Sequence, residues 1–372
     1  MILAMKITAI RTDRLRLPLD PPFRAAWDPE PRRHFDATVV RVETDDDIVG
    51  IGSGDTMDGF GGYEQLFVGT DPLAINRQVR TIETISFHGG RFWPLEAALW
   101  DITGKVAGLP VATLFGGAVT RLPAYMSTGE LKSPQERVEA TLRAREQGFG
   151  AVKIRVAADR GGAGVETVAR VRDAVGDDFT ILVDLNRSWR MPGDVSPAPD
   201  VKSVGRLVAA LEEHGVHWVE EPLPYSDVAG LARLRRDART RIAGGEMLPT
   251  FEDALTLLDH DALDIYQMDT VLSLGMSGAR TFAELARRRN RQFTPHTWTN
   301  GIGLLANLHV AAGVGASPYL EFPYDPEGWT LRRRDFMLSE PVRVDTEGYV
   351  RVPDVPGLGV VLDEEAIDRW RI

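Results

Sequence analysis

Three acidic residues of this chain each follow a short run of apolar residues. Thr180–Val183 leads into Asp184, and similar runs lead into Glu220 and Glu246. Such runs predict strands that are buried on both faces, where an uncompensated carboxylate is costly. One acid at a strand end is more often a helix cap or a surface residue. Three of them on successive strands can share one hard divalent cation, and Mg²⁺ is the expected ion.

A histidine and an aspartate follow two later runs. Asp269 comes after one run and His296 ends the next, so their side chains can meet at the rim of a sheet. An aspartate bonded to one ring nitrogen orients a histidine and raises its basicity, which predicts a general acid/base pair. We expect structural roles for the remaining histidines: His34, His88, His214, His217, His260 and His309.

A lysine and an arginine lie two residues apart on another predicted strand. Lys153 and Arg155 share a face because side chains alternate along a strand. Arginine stays protonated, so Arg155 is a poor base but can hold a substrate carboxylate or stabilise developing charge. Further polar residues at strand ends are Asn186 and Glu321. Glu221 follows Glu220 directly, and we expect it to point away from the metal.

Short apolar runs alternate with amphipathic helical segments from about residue 121 onward. This pattern predicts an α/β fold with eight parallel strands in a TIM-type (β/α)7β barrel, whose C-terminal strand ends carry the active site. The predicted strands are Leu122–Ser127, Gly150–Val156, Thr180–Asp184, His217–Glu220, Arg241–Glu246, Leu263–Gln267, Gln292–Pro295 and Pro318–Glu321.

The flanking segments predict a second unit. Lys6–Leu17, Ala37–Thr44 and Ile48–Ile51 read as an antiparallel meander, and we expect Pro18 and the Pro21-Pro22 pair to end the first strand. Loops are predicted at 20–35 and 52–62. We expect an α+β capping domain in which the C-terminal tail packs back on the N-terminal region. The predicted boundaries are 1–120, 121–325 and 326–372.

Composition excludes several classes of protein. Of 372 residues, 43% are apolar and 26% are charged, as in ordinary globular proteins. The net charge of −11 argues against a nucleic-acid partner, and the arginine runs 287–291 and 332–334 are expected to be solvated. The absence of cysteine excludes disulfides and thiolate metal sites. No apolar stretch is long enough for a membrane helix, so the expected location is the cytoplasm.

The chain resembles the enolase superfamily, and within it the mandelate racemase group, along nearly its whole length. Ala98–Lys105 followed by Gly108–Pro110 resembles the helix of that family's capping domain. Trp218–Leu223 is similar to its second metal-ligand segment, and Pro353–Gly359 to its C-terminal segment. Enolase-superfamily sites themselves use a lysine or histidine base with Mg²⁺ to form an ene-diolate.

The resemblance implies roles for individual residues. It implies that a protonated Glu321 donates to the substrate carboxylate, and that Lys153-Ile154-Arg155 replaces the family's usual Lys-x-Lys. The lysine typical of the muconate lactonizing group is absent from 263–269. The remaining implied roles are metal ligands (Asp184, Glu220, Glu246), an acid/base pair (Asp269, His296), and substrate contacts (Trp27, Asp55, Met57, Asn186, Trp298).

With Arg155 in place of a second basic lysine, we expect the Mg-dependent dehydration of a sugar acid, an aldonate or aldarate, to a 2-keto-3-deoxy acid. A racemase, an epimerase or a sugar-lactone cycloisomerase is the alternative. A non-catalytic barrel that only binds carboxylates or metal is a more remote one. The resemblance also implies a homo-oligomer.

Overall fold

The computed structural model describes residues 5–157 and 161–372. We number the strands and helices of this part in chain order: β1 (Ile7–Phe23), β2 (Arg32–Thr44), β3 (Val49–Gly52), α1 (Ile75–His88), α2 (Trp93–Ala107), α3 (Val111–Leu114), β4 (Arg121–Ser127), α4 (Pro134–Glu146), β5 (Ala151–Arg155), α5 (Gly161–Val175), β6 (Thr180–Asp184), α6 (Val201–Glu212), β7 (Trp218–Glu220), α7 (Val228–Asp237), β8 (Arg241–Gly244), α8 (Phe251–Asp259), β9 (Ile265–Tyr266), α9 (Gly275–Arg288), β10 (Gln292–Phe293), α10 (Gly301–Val314), β11 (Leu320–Pro323), α11 (Leu331–Arg334), β12 (Tyr349–Arg351) and α12 (Glu364–Trp370).

Strands β1, β2 and β3 form an antiparallel sheet, which confirms the predicted meander. The prediction that Pro18 and Pro21-Pro22 end the first strand is wrong, since β1 continues to Phe23. The strand is at the edge of its sheet, where a proline without an N–H costs few ladder bonds. The register shifts between Pro18 and Phe23 to accommodate the prolines. The connection to β2 is therefore short, spanning residues 24–31.

A second sheet carries the candidate site. Its parallel strands are ordered β10-β9-β8-β7-β6-β5-β4-β11, and β12 pairs with β4 in the antiparallel direction. Strand β6 has the predicted bounds. The prediction that strand β8 runs to Glu246 is wrong, because β8 ends at Gly244 and Gly245 has a φ of 106°. Glu321, predicted at a strand end, is the second residue of β11.

The parallel sheet is curled. Tyr125 of β4 and Trp218 of β7 make an edge-to-face contact with ring centroids 5.4 Å apart, although β5 and β6 separate their strands. In a flat sheet, three strand spacings would place them roughly 14 Å apart. Both rings belong to a buried cluster with Leu182, Ala243 and Ile265, one residue from each of three further strands. Helices cover the outer face through a much larger apolar core.

The C-terminal tail contacts both sheets. Strand β12 pairs with β4, and Ile367 of α12 packs in one buried cluster with Leu15 and Val39 of the antiparallel sheet. Arg371 forms a bridge with Leu15. The end of the chain thus lies against its beginning.

A buried carboxylate links the N-terminal region to the parallel-sheet region. Glu96 of α2 accepts hydrogen bonds from the backbone N–H groups of Met276 (2.9 Å) and Ser277 (2.8 Å) in the first turn of α9. Leu274, at the N-cap of that helix, provides no side-chain cap. Trp100 Nε1 also donates to Glu96, at 3.2 Å. Glu96 therefore caps, from a distant part of the chain, the helix that follows Asp269.

One arginine run differs from expectation. Arg332–Arg334 was expected to be solvated, but Arg334 is fully buried and makes a two-point contact with Asp335 (both 2.6 Å). Its guanidinium also lies 4.2 Å from the ring centroid of Phe322, so neighbouring groups compensate the buried charge. Within the described residues, no helix has the length and apolar composition needed to cross a bilayer.

Candidate active site

The three predicted metal ligands converge at one edge of the parallel sheet. Asp184 and Glu220 are the last residues of β6 and β7 and pair in register, and Glu246 follows β8 after the Gly245 turn. All three side chains are buried. One carboxylate oxygen from each lies within 4.8 Å of the others, an arrangement that can hold a metal ion.

The donor set fits a hard cation. Glu246 Oε1 accepts from Trp189 Nε1 at 2.8 Å, whereas its Oε2 is buried and has no hydrogen-bond partner among the described residues. Burial and the neighbouring Asp184 raise the pKa of Glu220, and burial also raises the pKa of Glu246. A bound divalent cation would stabilise both charges, and all of the offered donors are oxygens.

Lys153 lies among these acids. Its Nζ is 3.3 Å from Asp184 Oδ2 and 2.7 Å from Glu321 Oε1, and it donates to Glu220. Burial alone would lower the pKa of Lys153, but the carboxylates, led by Glu220 and Glu321, outweigh burial and raise it. Lys153 is therefore a fixed cation in this structure.

Arg155 points to the same side of β5. It pairs with Asp184, donates to the backbone oxygen of Thr128 at 2.7 Å, and donates to Asn186 Oδ1 at 3.1 Å. Asn186 has a φ of 46°, a conformation that asparagine tolerates, and this turns the chain back toward Arg155. The guanidinium is thus held on several sides and stays charged.

The predicted acid/base pair is assembled. His296 Nδ1 lies 2.9 Å from Asp269 Oδ2, while the other oxygen of Asp269 accepts from Asn307 Nδ2 (3.1 Å) and from the backbone N–H of Val271 (2.8 Å). His296 Nε2 faces Glu246 Oε2 at 3.7 Å. Burial opposes a charge on the ring, but Glu246, Glu321 and Asp269 outweigh burial and raise the pKa of His296 to about 9.

Glu321, the expected donor to the substrate carboxylate, lies among hydrogen-bond donors and cations. It accepts from Ser127 Oγ and from the backbone N–H of Thr297, both at 2.7 Å, in addition to its contact with Lys153. Burial opposes ionisation, but the cations Lys153 and His296 lower the pKa of Glu321 to about 2. A donor role would require this carboxylate to take up a proton when a substrate carboxylate binds.

Glu221 lies beside the metal-ligand candidates, since burial and the neighbouring Glu246 and Asp184 raise its pKa. Its φ of 50° breaks the strand after Glu220, and its carboxylate accepts a hydrogen bond from the hydroxyl of Tyr225. The same hydroxyl accepts from the backbone N–H of Gly245 at 2.7 Å. Tyr225 therefore links the two turns that present Glu220 and Glu246.

The predicted substrate contacts separate into two places. Trp27 and Trp298 contact each other edge to face, with ring centroids 4.9 Å apart, and both lie over Arg155. Trp27 is positioned by the bond from Ala26 N–H to Gly129 O (2.8 Å). Asn186 lies at the same place, where it accepts from Arg155, whereas Asp55 and Met57 lie elsewhere. Asp55 pairs with Arg91 at 3.1 Å, and Met57 is buried in an apolar cluster with Phe60 and Phe92.

Two residues at the site were not predicted from the sequence. Trp189, which bonds Glu246, and Asn307, which bonds Asp269, lie in a loop and in the middle of α10. Neither position has a local signal, because each acts through a residue far away in sequence. The six other histidines were expected to be structural. Among them, His309 is buried, accepting from Ala112 N–H at 2.9 Å and contacting Leu358 O at 3.2 Å.

Comparison with known proteins places this chain in a family. The model of the family described as Enolase C-terminal domain-like matches residues 136–366. The chain belongs to the enolase superfamily. Its sequence is similar to those of enzymes along nearly its whole length.

The relatives are enzymes that act on sugar acids. D-galactarolactone cycloisomerase of Agrobacterium fabrum is 29% identical, covering 99% of this chain and 99% of the relative. 3,6-Anhydro-alpha-L-galactonate cycloisomerase of Streptomyces coelicolor is 30% identical, covering 98% and 99%. A solved structure of an L-talarate/galactarate dehydratase mutant, liganded with Mg and L-glucarate, has a TM-score of 0.85 and 26% identity, covering 100% of this chain and 93% of that one.

Proposed function

We propose that this enzyme removes the proton α to the carboxylate of a sugar acid and then expels the oxygen on the β-carbon, which yields a 2-keto-3-deoxy acid. The observation that carries the proposal is the position of His296. Asp269 orients its ring, and its Nε2 faces the free oxygen of Glu246. The charges of Glu246 and Glu321 favour the protonated ring in this structure. A cation bound at Glu246 would offset that charge, and His296 would then be a proton acceptor beside three converging carboxylates, a combination suited to forming an ene-diolate.

Mg²⁺ is the proposed cofactor, held by Asp184, Glu220 and Glu246. The unpaired Oε2 of Glu246 and the all-oxygen donor set support it, as does the magnesium in the structure of the dehydratase relative. When bound, the ion would neutralise negative charge that develops on the substrate carboxylate. Lys153 and Arg155 contribute further fixed positive charge to the same region.

One-base chemistry is favoured over racemisation. Racemisation with two bases needs a second group, on the opposite face of the α-carbon, that can accept a proton. Lys153 is engaged in ion pairs with Asp184, Glu220 and Glu321, and arginine does not deprotonate. His296 alone is sufficient for elimination, since it can take the α-proton and return it to the departing oxygen.

Two kinds of leaving group fit this elimination. Loss of water from an open-chain acid is the dehydration predicted from the sequence, and the dehydratase relative favours it. Loss of a ring oxygen is cycloisomerisation. The two cycloisomerase relatives, which align with this chain over almost their entire length, favour this reaction.

We further propose that the curled sheet is a (β/α)7β barrel of the TIM type, capped by an α+β unit made of residues 1–120 and 326–372. The bonds from Thr297, just after β10, to Glu321 of β11 support closure, because they join the two ends of the strand order. Packing of Ile367 against Leu15 supports the composite cap. Homo-oligomer formation and a cytoplasmic location stay predictions.

A substrate screen tests the proposed function. The purified enzyme with Mg²⁺ is incubated with aldonic acids, aldaric acids and their lactones. Formation of 2-keto-3-deoxy acids is measured, together with exchange of the α-proton in D₂O. We expect product or exchange with at least one acid. The absence of both across the whole set would contradict the proposal.

A further inference from the structure

Beside His296 lies a concavity whose walls contain both apolar and polar side chains. Three indole rings, those of Trp27, Trp189 and Trp298, line it together with Met191 and Met247. Because His296 lines the same space, a substrate whose α-carbon approaches His296 would extend along these side chains.

The indole N–H groups of two of these rings are already used. Trp189 Nε1 donates to Glu246 Oε1 at 2.8 Å, and Trp298 Nε1 donates to Ser127 Oγ at 2.7 Å. These bonds fix the orientation of both rings. The ring surface that Trp189 and Trp298 leave exposed to the concavity is therefore carbon, although Phe23 stacks on Trp298 with ring centroids 5.8 Å apart.

Trp27 is held by stacking. The guanidinium carbon of Arg155 lies 4.7 Å from its ring centroid, and that of Arg32 lies 5.8 Å away. Trp298 contacts its ring edge to face. The orientation of the Trp27 ring therefore depends on its contacts with these two charged residues and with Trp298.

Apart from Glu246 and His296, which belong to the reacting centre, each polar side chain that lines this space has a partner within the protein. Arg32 pairs with Asp28, Arg155 with Asp184, and Asn186 Oδ1 accepts from Arg155. An open-chain sugar acid carries a hydroxyl on every carbon between its ends, and such groups lose free energy when they are buried without partners. A sugar ring instead presents a face of C–H groups, which an aromatic face attracts.

We propose that Trp27, Trp189 and Trp298 form a stacking wall that selects ring-closed sugar acids, the lactones and anhydro-acids, over open-chain acids. The inference rests on the proposed function, since it names the substrate class of the same elimination.

The chemistry balances as an isomerisation. His296 takes the α-proton, and the electrons of the broken C–H bond form the double bond between the α- and β-carbons. The bond from the β-carbon to the ring oxygen breaks, and that oxygen leaves with the bonding pair but stays attached through the rest of the ring. The proton on His296 passes to the ring-opened oxygen or to solvent. The enol then takes a proton at the β-carbon and loses the proton of its hydroxyl group, which gives the 2-keto-3-deoxy acid.

Matched pairs of substrates test whether the three tryptophans select ring-closed sugar acids. The pairs are D-galactarolactone with galactarate, and 3,6-anhydro-L-galactonate with L-galactonate, whose members differ only in ring closure. We expect kcat/KM for the ring-closed member of at least one pair to exceed that of its open-chain partner by about 100-fold, a ratio that apolar pocket contacts can reach. Equal or preferential use of the open-chain members would overturn the inference while leaving the proposed function intact.

Variants of Trp27 distinguish a loss of preference for ring-closed substrates from damage to the fold. Trp27→Ala is expected to lower the ring-closed to open-chain ratio about tenfold, while Trp27→Phe, which keeps an aromatic face, holds it within about threefold. Damage to the fold would lower both rates together and leave the ratio unchanged, and that result in Trp27→Ala would overturn the role of this residue. Absence of both turnover and α-exchange with all four acids and across the wider screen would instead overturn the proposed function, and the inference with it.

Discussion

Nε2 of His296 lies 3.7 Å from Oε2 of Glu246, an oxygen that accepts no hydrogen bond from the described residues. The nitrogen that would accept the proton is therefore adjacent to the oxygen that would hold the cation. The α-carbon and the carboxylate of a sugar acid are directly bonded, so a base and a metal ligand must lie this close to act on both.

Replacing the base is expected to abolish the chemistry. His296→Asn should lower kcat by about 1,000-fold, the typical contribution of a positioned acid/base. His260→Asn is the control, because His260 is an exposed residue at the end of α8. Exchange of the α-proton in D₂O measures the effect. Undiminished exchange in His296→Asn would contradict the assignment.

Replacing the orienting acid is expected to act through the tautomer of the histidine. In Asp269→Asn the amide can donate to Nδ1, which places the ring proton on Nε2 and leaves no acceptor for the α-proton. We expect kcat to fall by about 1,000-fold or more, with little change in thermal unfolding. A small kcat effect would show that His296 does not need Asp269 for its orientation.

Arg155 is predicted to bind and not to act as a base. Arg155→Met should weaken substrate binding and slow turnover, because it removes the contacts with Asp184, Asn186 and the Trp27 ring. Exchange of the α-proton should continue, and substrate recovered from D₂O should keep its configuration. Chiral analysis of recovered substrate checks this. Inversion by wild type that is lost in the variant would support a second base.

Glu246 is predicted to contribute to metal affinity. Glu246→Gln retains an oxygen that can accept from Trp189 but loses the charge, so we expect Mg²⁺ affinity to fall at least about tenfold. Calorimetric titration of metal-free protein measures it, with Glu252→Gln in exposed α8 as the control. Wild type should also gain about 2.7 kcal/mol of stability at a Mg²⁺ concentration 100 times its Kd. Equal affinities in both variants would exclude Glu246 as a ligand.

The free energy of unfolding is predicted to decrease when the pH is lowered, because His309 is buried as a neutral ring. Burial lowers the pKa of this ring to about 4, so the unfolded chain, with an ordinary pKa near 6.5, binds the proton more readily. Stability from the neutral ring is complete at pH 7.5 and decreases as the pH falls below about 6.5, by about 2 kcal/mol at pH 5. Urea unfolding at both pH values measures the loss. His309→Gln should lose about 2 kcal/mol less than wild type over this range, and an equal loss would contradict the prediction.

Local patterns were sufficient to predict much of the fold. The apolar run that defines β6 gave its bounds, and the family resemblance correctly gave the superfamily. The three acids and the Asp269–His296 pair were found because each follows such a run. Sequence reasoning failed where a distant neighbour decides the outcome. The prolines of β1 are tolerated because the strand is at the edge of its sheet, and Trp189 and Asn307 were not predicted because their partners Glu246 and Asp269 are far away in sequence.

The cap that Glu96 places on α9 ties two distant segments of the chain together. Asp269 lies six residues before the first residue of that helix, so Glu96 anchors the start of the helix that follows the residue bonded to His296. A chimera that exchanged the first 120 residues with those of a relative would leave the N–H groups of Met276 and Ser277 buried without acceptors, unless the incoming segment carried an equivalent acid. Recombination within this family must therefore treat α2 and the start of α9 as one inherited unit.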